Sequence, residues 1–302
     1  PMISWAAYLL AVGGDIFPGF RHFTPLIVIS AFILHDAVLI ISEKTRARGT
    51  LAVAAAVLAV LYAVIQPFSG QNKAAKAERW EWHGKELGLM LKAAFGDKKP
   101  LIAVSAAGCI PFWSDLPAID SLGLNDYTIA RTKMPEYARS RIAHFRGNGQ
   151  YMMDREPDLL VFCGPWGSVS GCFPGEVQMT ETREFSQLYE AALFRISDDP
   201  KLETVMYIRR GSQKVGIRNE GGRIIIPAYL SAGDIRNAVH FYNNSGNFFL
   251  KLRPDSKPAV KAVFLEEGKY ILSAESSNTL SAYVSLQSGI EGSGGRGNLP
   301  LV

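Results

Sequence analysis

The chain has 302 residues, 48% of them hydrophobic and 20% charged, with a net charge of +4, which is room for two domains or for a membrane part carrying one or two. The positive charge is spread along the chain rather than gathered into a stripe, which removes the electrostatic case for nucleic acid. Three cysteines are too few for a disulfide scaffold and match no zinc spacing.

Composition is uneven. From Met2 to Phe68 the chain is overwhelmingly apolar, and most of its charge follows Lys73. Met2 to Val12 is a partial apolar stretch, and Pro25 to Ile41 and Thr50 to Ile65 are longer runs near the short limit for a bilayer's ~30 Å hydrocarbon core. Residues 1–68 are therefore expected to be transmembrane helices. A chain that opens on Pro1, with no basic leader before its first apolar run, reads as a piece of a longer helical membrane protein rather than as a signal peptide. Between the two long runs, Ser42 to Gly49 carries Lys44, Arg46 and Arg48 against Glu43. By the positive-inside bias this connector is cytoplasmic, which places the stretch 13–24 and everything from about residue 69 on the extracytoplasmic side. His35 and Asp36 lie inside the second run, where ionisable groups are costly and face protein or a polar path.

The first outside loop, Gly13 to Phe23, sets Asp15, Arg21 and His22 among Phe17, Phe20 and Phe23. An Arg beside a His at headgroup depth suits a phosphate, because a guanidinium fork pairs two oxygens at once. Asp15 suits a sugar hydroxyl or a metal, and an Asp–Arg pair in an interfacial turn accounts for the same residues without function.

Beyond residue 69 the texture is that of a folded domain. Gly84 to Phe95 has Leu87, Met90, Leu91 and Ala94 at helical spacing, and Leu101–Ser105 and Asp158–Phe162 read as buried strands. Helices between such strands predict an α/β layer over 69–182 with a mainly parallel sheet, whose ligands gather beyond the carboxyl ends of the strands. The stretch from Ile110 to Asp126 holds Trp113, Asp115, Asp120, Asn125 and Asp126, a ring to stack on a sugar and side chains to hold its hydroxyls. Asn and Asp are equally the commonest turn residues. Cys163 and Cys172 bracket a Gly-rich segment and either close a small disulfide loop, which needs an oxidising compartment, or are two unrelated thiols. From about Arg223, short alternating runs separated by turn residues predict a C-terminal antiparallel β-sandwich over 183–287, followed by a disordered Gly/Ser-rich tail at 288–302.

Several of these segments together resemble a known family. Gly13-Gly14-Asp15 followed by Arg21 is similar to an outside loop of polytopic GT-C glycosyltransferases, nearest to the bacterial arabinofuranosyltransferase-like group. The run from Ala107-Gly108-Cys109-Ile110-Pro111 through Ser114, Ile119-Asp120, Gly123-Leu124-Asn125-Asp126 and Ile129-Ala130-Arg131 resembles a signature of that group's outside domain. So do His144, Gly147-Asn148-Gly149-Gln150-Tyr151 and Arg155-Glu156-Pro157-Asp158, and the likeness spans about residues 5 to 165.

The resemblance implies a transferase of the cytoplasmic membrane that moves a sugar from a polyprenyl-phosphate donor to an envelope glycan. It implies no cofactor beyond that donor and no metal. Its partners would be the lipid-linked sugar, the glycan and membrane lipids. The catalytic base would lie upstream of Pro1, with Asp15 accessory and Arg21 and His22 on the donor phosphate. The acceptor would meet Trp113, Asp115, Asp120, Asn125, Asp126 and His144. The alternatives are a non-catalytic membrane-anchored glycan-binding protein and a structural subunit of an envelope assembly.

Overall fold

The computed structural model describes residues 2–11, 18–19, 21–45, 48–133, 144–198, 200–221, 223–230, 235–236, 238–242, 248–252, 283–285 and 298–300. Three apolar helices come first: α1 (Met2–Ala11), α2 (Thr24–Thr45) and α3 (Arg48–Ile65). Helices α2 and α3 are long and apolar enough to cross a membrane, with a mean hydropathy of 2.2 in each. Neither buries that apolar window against the rest of the chain. At ~1.5 Å per residue α2 reaches about 33 Å, the depth of a hydrocarbon core. His35 and Asp36 are exposed on its surface. A short helix α4 (Gly70–Ala77) then leads into α5 (Trp80–Phe95).

The α/β domain is built on one mixed sheet. Its strands are β1 (Ile102–Val104), β2 (Ala118–Asp120), β3 (Leu159–Val161), β4 (Tyr189–Asp198), β5 (Lys201–Arg209), β8 (Ala238–Tyr242) and β9 (Phe248–Leu252). Two more, β6 (Arg218–Glu220) and β7 (Arg223–Ile225), form a separate antiparallel ribbon. The order in the main sheet is β2-β1-β3-β5-β4-β8-β9. Strands β2, β1 and β3 run parallel, in register Ile102↔Ala118 and Ile102↔Leu159. The sheet turns antiparallel where β3 meets β5, at Leu159↔Ile208 and Leu160↔Tyr207.

Alternation along the strands divides the core in two. Ile102 and Val104, Leu159 and Val161, and Met206 and Ile208 point to one face, where they meet Leu87, Leu91 and Phe95 of α5 and Ile110 of α6 (Cys109–Ser114). Ala103 and Leu160 point to the other face. They meet Ile129 of α7 (Tyr127–Arg131), Met152 of α8 (Gly149–Asp154), Met179 of α9 (Pro174–Thr180) and Phe185 of α10 (Arg183–Leu188). The helical spacing in α5 thus does what it predicts: Leu87 and Leu91 are fully buried, each contributing about 1.5–3 kcal/mol. Gly84 and Gly88 let α6 lie close, since a Cβ on Gly88 would sit 2.6 Å from the Trp113 Cβ.

The expected sandwich over 183–287 meets a different arrangement. Its described long strands, β4, β5, β8 and β9, continue the α/β sheet, so no break in the sheet falls at residue 183. Alternation reports a half-buried strand but not what covers its apolar face. Here helix α5 covers much of it, with Phe194, Phe248 and Tyr229 packed near Phe95. The runs expected at 259–265 and 269–274 lie outside the described residues. Residues 261–302 belong to a second unit. Within that unit β10 (Tyr283–Ser285) pairs antiparallel with β11 (Asn298–Pro300), and the rest of the expected tail lies outside the described residues.

Candidate functional site

The connection after β1 passes to α6, on the face of α5, whereas the connection after β3 passes to α9, on the opposite face. Neighbouring parallel strands that depart in opposite directions open a crevice at their carboxyl ends. Ser105 follows β1, Ser121 follows β2, and Cys163, at φ 60°, follows β3. Gly164 N donates to Ser105 Oγ at 2.8 Å, tying the two central loops together.

Glu176 lies beneath the loops that follow β2 and β3. It lies in the first turn of α9, fully buried. Its Oε1 accepts from Ser121 Oγ at 3.3 Å, and its Oε2 accepts from the backbone N–H groups of Cys163 (3.3 Å), Cys172 (3.0 Å) and Phe173 (3.3 Å). The bond back to Phe173 N is half of a capping box. Burial pushes the Glu176 carboxyl up, and the donors from Cys172, Phe173, Cys163 and Ser105 oppose that shift.

The loop above Glu176 is closed by a Cys163–Cys172 disulfide, with the Cα atoms 5.2 Å apart and the cysteines nine positions apart in sequence. It is pinned to β5 on several sides. Val205 N donates to Trp166 O (3.1 Å), Thr204 Oγ1 to Pro165 O (2.8 Å) and Tyr207 Oη to Val169 O (2.6 Å). Closing so short a loop stabilises by about 2.5 kcal/mol through the entropy of the unfolded chain. A Cys163→Ser/Cys172→Ser protein is therefore expected to lose about that much in urea denaturation. An unchanged midpoint would mean that Glu176 and β5 hold the loop alone.

Aromatic rings frame the mouth. Trp166 stands edge-on to Trp80 at 5.6 Å and to His83 at 5.3 Å. His83 Nδ1 is buried with no hydrogen-bond partner among the described residues. Burial, with Arg79 adding to it, pulls the His83 imidazole below its ordinary pKa. A ring face at a crevice mouth suits stacking on an apolar sugar face.

The residues singled out from sequence are distributed rather than gathered. Asp115 ends α6 in the left-handed region and pairs with Lys99 at 2.7 Å, and that hydrogen bond holds its carboxyl below the usual range. Asp120 is buried and accepts from Leu122 N (2.9 Å) and Asn125 N (2.6 Å), while Asn125 itself is exposed. Asp126 caps α7 through Thr128 N and Ile129 N and accepts from Tyr151 Oη. Trp113 lies under Lys85, whose ammonium is 4.9 Å from the ring centre. His144 stands edge-on to Phe173 at 5.4 Å; burial lowers its pKa and nearby Asp120 opposes the shift.

Asp120 and His144 therefore lie near enough to influence each other electrostatically, whereas Trp113 sits on α6 and Asp115 ends it. Arg21 and His22 start the turn before α2, and Trp5 Nε1 donates to His22 O at 2.8 Å. Asp15 lies outside the described residues. Glu176, Ser105, His83 and Trp166 were missed from the sequence. The one local signal was Phe173-Pro174-Gly175-Glu176, a Pro at the first helical position with a Glu two residues on. No cluster of His, Cys, Asp and Glu that fits a metal ion occurs among the described residues.

One comparison bears on this region. Residues 71–213 match the family model described as "Domain of unknown function (DUF8728)". That span begins in α4 and ends just beyond β5, so it contains the crevice, its disulfide loop and the strand that pins it. No curated protein and no solved structure matches the chain.

Proposed function

We propose that this chain is the C-terminal portion of a membrane glycosyltransferase moving a sugar from a polyprenyl-phosphate donor to an envelope glycan, with its α/β domain receiving the acceptor outside the cytoplasmic membrane. The observation that carries this reading is the junction of spans and domain. Gly19 N donates to Gln71 Oε1 at 3.2 Å, and the Gly19 turn lies against Ala75 of α4. Arg21 and His22 therefore sit at the end of the spans from which the α/β domain departs.

Two further features support the orientation. A disulfide persists in an oxidising compartment, and Lys44, Arg46 and Arg48 in the connector of α2 and α3 favour the cytoplasmic side for it by the positive-inside bias, which Lys73, Lys76 and Arg79 partly offset. In the reaction, an acceptor hydroxyl attacks the anomeric carbon, its proton passes to a base, and the bond from that carbon to the phosphate oxygen breaks. Arg21 would hold the departing lipid phosphate, because its planar fork pairs two oxygens.

In membranes containing the protein, Arg21→Ala is expected to raise KM for the polyprenyl-phosphate sugar about tenfold, the loss of a charge-assisted hydrogen bond, with Arg21→Lys intermediate. Transfer that is indifferent to both changes would sink the assignment. A second reading, a non-catalytic glycan-binding protein, is favoured by one observation: the carboxylates of Asp115, Asp120 and Asp126 are each engaged by the chain itself. Glycan retention without any sugar transfer would select it.

A further inference from the structure

The parallel strands' carboxyl edge carries a rim of exposed apolar and aromatic side chains. Leu124 and Tyr127, beyond β2, are 75% and 72% exposed, and Trp166 and Val169, beyond β3, are 37% and 47% exposed. Trp82, in the first turn of α5, is 58% exposed. That turn lies at the same edge, because Cys109 Sγ donates to Trp80 O at 3.4 Å and the Trp80 ring covers Gly164. Exposed apolar and aromatic side chains gathered at one edge mark a surface for a partner, whereas single ones would not.

Basic groups accompany the rings. The Arg79 guanidinium lies 5.9 Å from the Trp82 ring centre, and that of Arg131 lies 3.4 Å from the Tyr127 ring centre. The approach from the spans is also basic: residues 66–85 carry Lys73, Lys76, Arg79 and Lys85 against Glu78 and Glu81, four positive charges against two negative. The chain enters the domain at this same edge, with only residues 66–79 between the end of α3 and the start of α5.

We infer that this edge seats on the headgroup layer of the bilayer that α2 and α3 cross, with anionic phospholipid as its partner. Three independent features point to that occupant. The tether is short, so the local lipid concentration at the rim is high. Tryptophan and tyrosine favour the headgroup boundary, where an apolar ring and a polar tip are both accommodated. Arginine and lysine near the surface are drawn to anionic lipid. Seated this way, the crevice opens at the depth where a lipid-linked headgroup lies. The inference rests on the membrane-spanning part of the proposed function but not on its sugar chemistry.

The test uses the whole chain in phosphatidylglycerol nanodiscs containing lipid spin-labelled at the headgroup. Trp82→Phe and Trp166→Phe are each expected to remove part of the quenchable tryptophan emission, whereas Trp113→Phe, whose ring lies under Lys85, removes none. Amide exchange over residues 121–131 and 163–170 should be at least threefold slower in phosphatidylglycerol than in phosphatidylcholine discs. Arg79→Glu/Arg131→Glu should abolish that difference. Quenching that is unchanged in both rim variants, or exchange that is equal in the two lipids, would overturn the seating while leaving sugar transfer to be judged by the Arg21 experiment. Failure of the chain to enter discs at all would overturn the spans and the seating together.

Discussion

Glu176→Ala is expected to lower the stability of the α/β domain by about 3–5 kcal/mol, because truncating a buried, hydrogen-bonded carboxyl strands its donors in a site water does not reach. The stranded groups are the N–H groups of Cys163, Cys172 and Phe173 and the Ser121 hydroxyl. Urea denaturation would read the loss. A drop below about 1 kcal/mol would show that the loop is held by its disulfide and by β5 alone.

Glu176→Gln separates shape from charge. Burial raises the folded-state pKa of Glu176 above its ordinary value of 4.5. The sign follows: its contribution is complete below pH 4.5 and is lost as pH rises from there through the raised folded value. The wild-type protein should therefore lose more stability than Glu176→Gln between pH 4 and the neutral range. Parallel pH profiles for the two proteins would refute the assignment.

For Gly167→Ala the loss should be of similar size, about 3 kcal/mol or more, from left-handed backbone strain together with a clash against main chain. Gly167 has φ +66°, and a Cβ there would run into the Val205 carbonyl oxygen and lie 2.7 Å from the Val205 carbonyl carbon and nitrogen. The loop would have to lift from β5, giving up the bond from Val205 N to Trp166 O. Gly221 provides the control. Its φ is +59°, and among the described residues nothing lies within 4 Å of where a Cβ would stand, so Gly221→Ala should cost only about 1 kcal/mol. Equal costs at both sites would mean that φ alone matters and that the loop is not pressed against the strand.

The strands and helices with strong periodicity were legible in the sequence. Leu87, Met90 and Leu91 all face the core of α5, and the apolar runs at 101–105 and 158–162 contain β1 and β3. The two long apolar runs are helices that extend slightly beyond the stretches first marked, because Glu43, Lys44 and Thr45 continue α2 past its apolar part. What could not be read was which sheet a strand joins. The alternation in β4 and β5, which precede the runs read from about Arg223, fits a sandwich or an α/β sheet equally well, and the pairing of β3 with β5 at Leu159↔Ile208 and Leu160↔Tyr207 decides.

The candidate site was only partly visible, for a related reason. Asp115, Asp120 and Asp126 attract attention as carboxylates in a loop-like stretch, yet that stretch contains α6, β2 and the cap of α7, and its carboxylates serve those elements. Glu176 drew no attention because its value lies in partners 3 to 55 positions away in sequence, such as Phe173 and Ser121.

The place where the sheet changes from parallel to antiparallel also constrains the order in which the domain assembles. Strands β4 and β5 are joined by residues 199–200 alone, and nine residue pairs align along them. Such a hairpin closes in microseconds from local contacts, whereas β1, β2 and β3 must wait for long crossovers to close. The free edge of β3 is covered only by β5, through Ile208 and Tyr207. A chain crossing a membrane from its N-terminal side would deliver β3 roughly fifty residues before that cover arrives. Through that interval the apolar edge of Leu159–Val161 would be open to pairing with other chains. A holding chaperone, or a pause after residue 209, would guard that edge until β5 pairs with it.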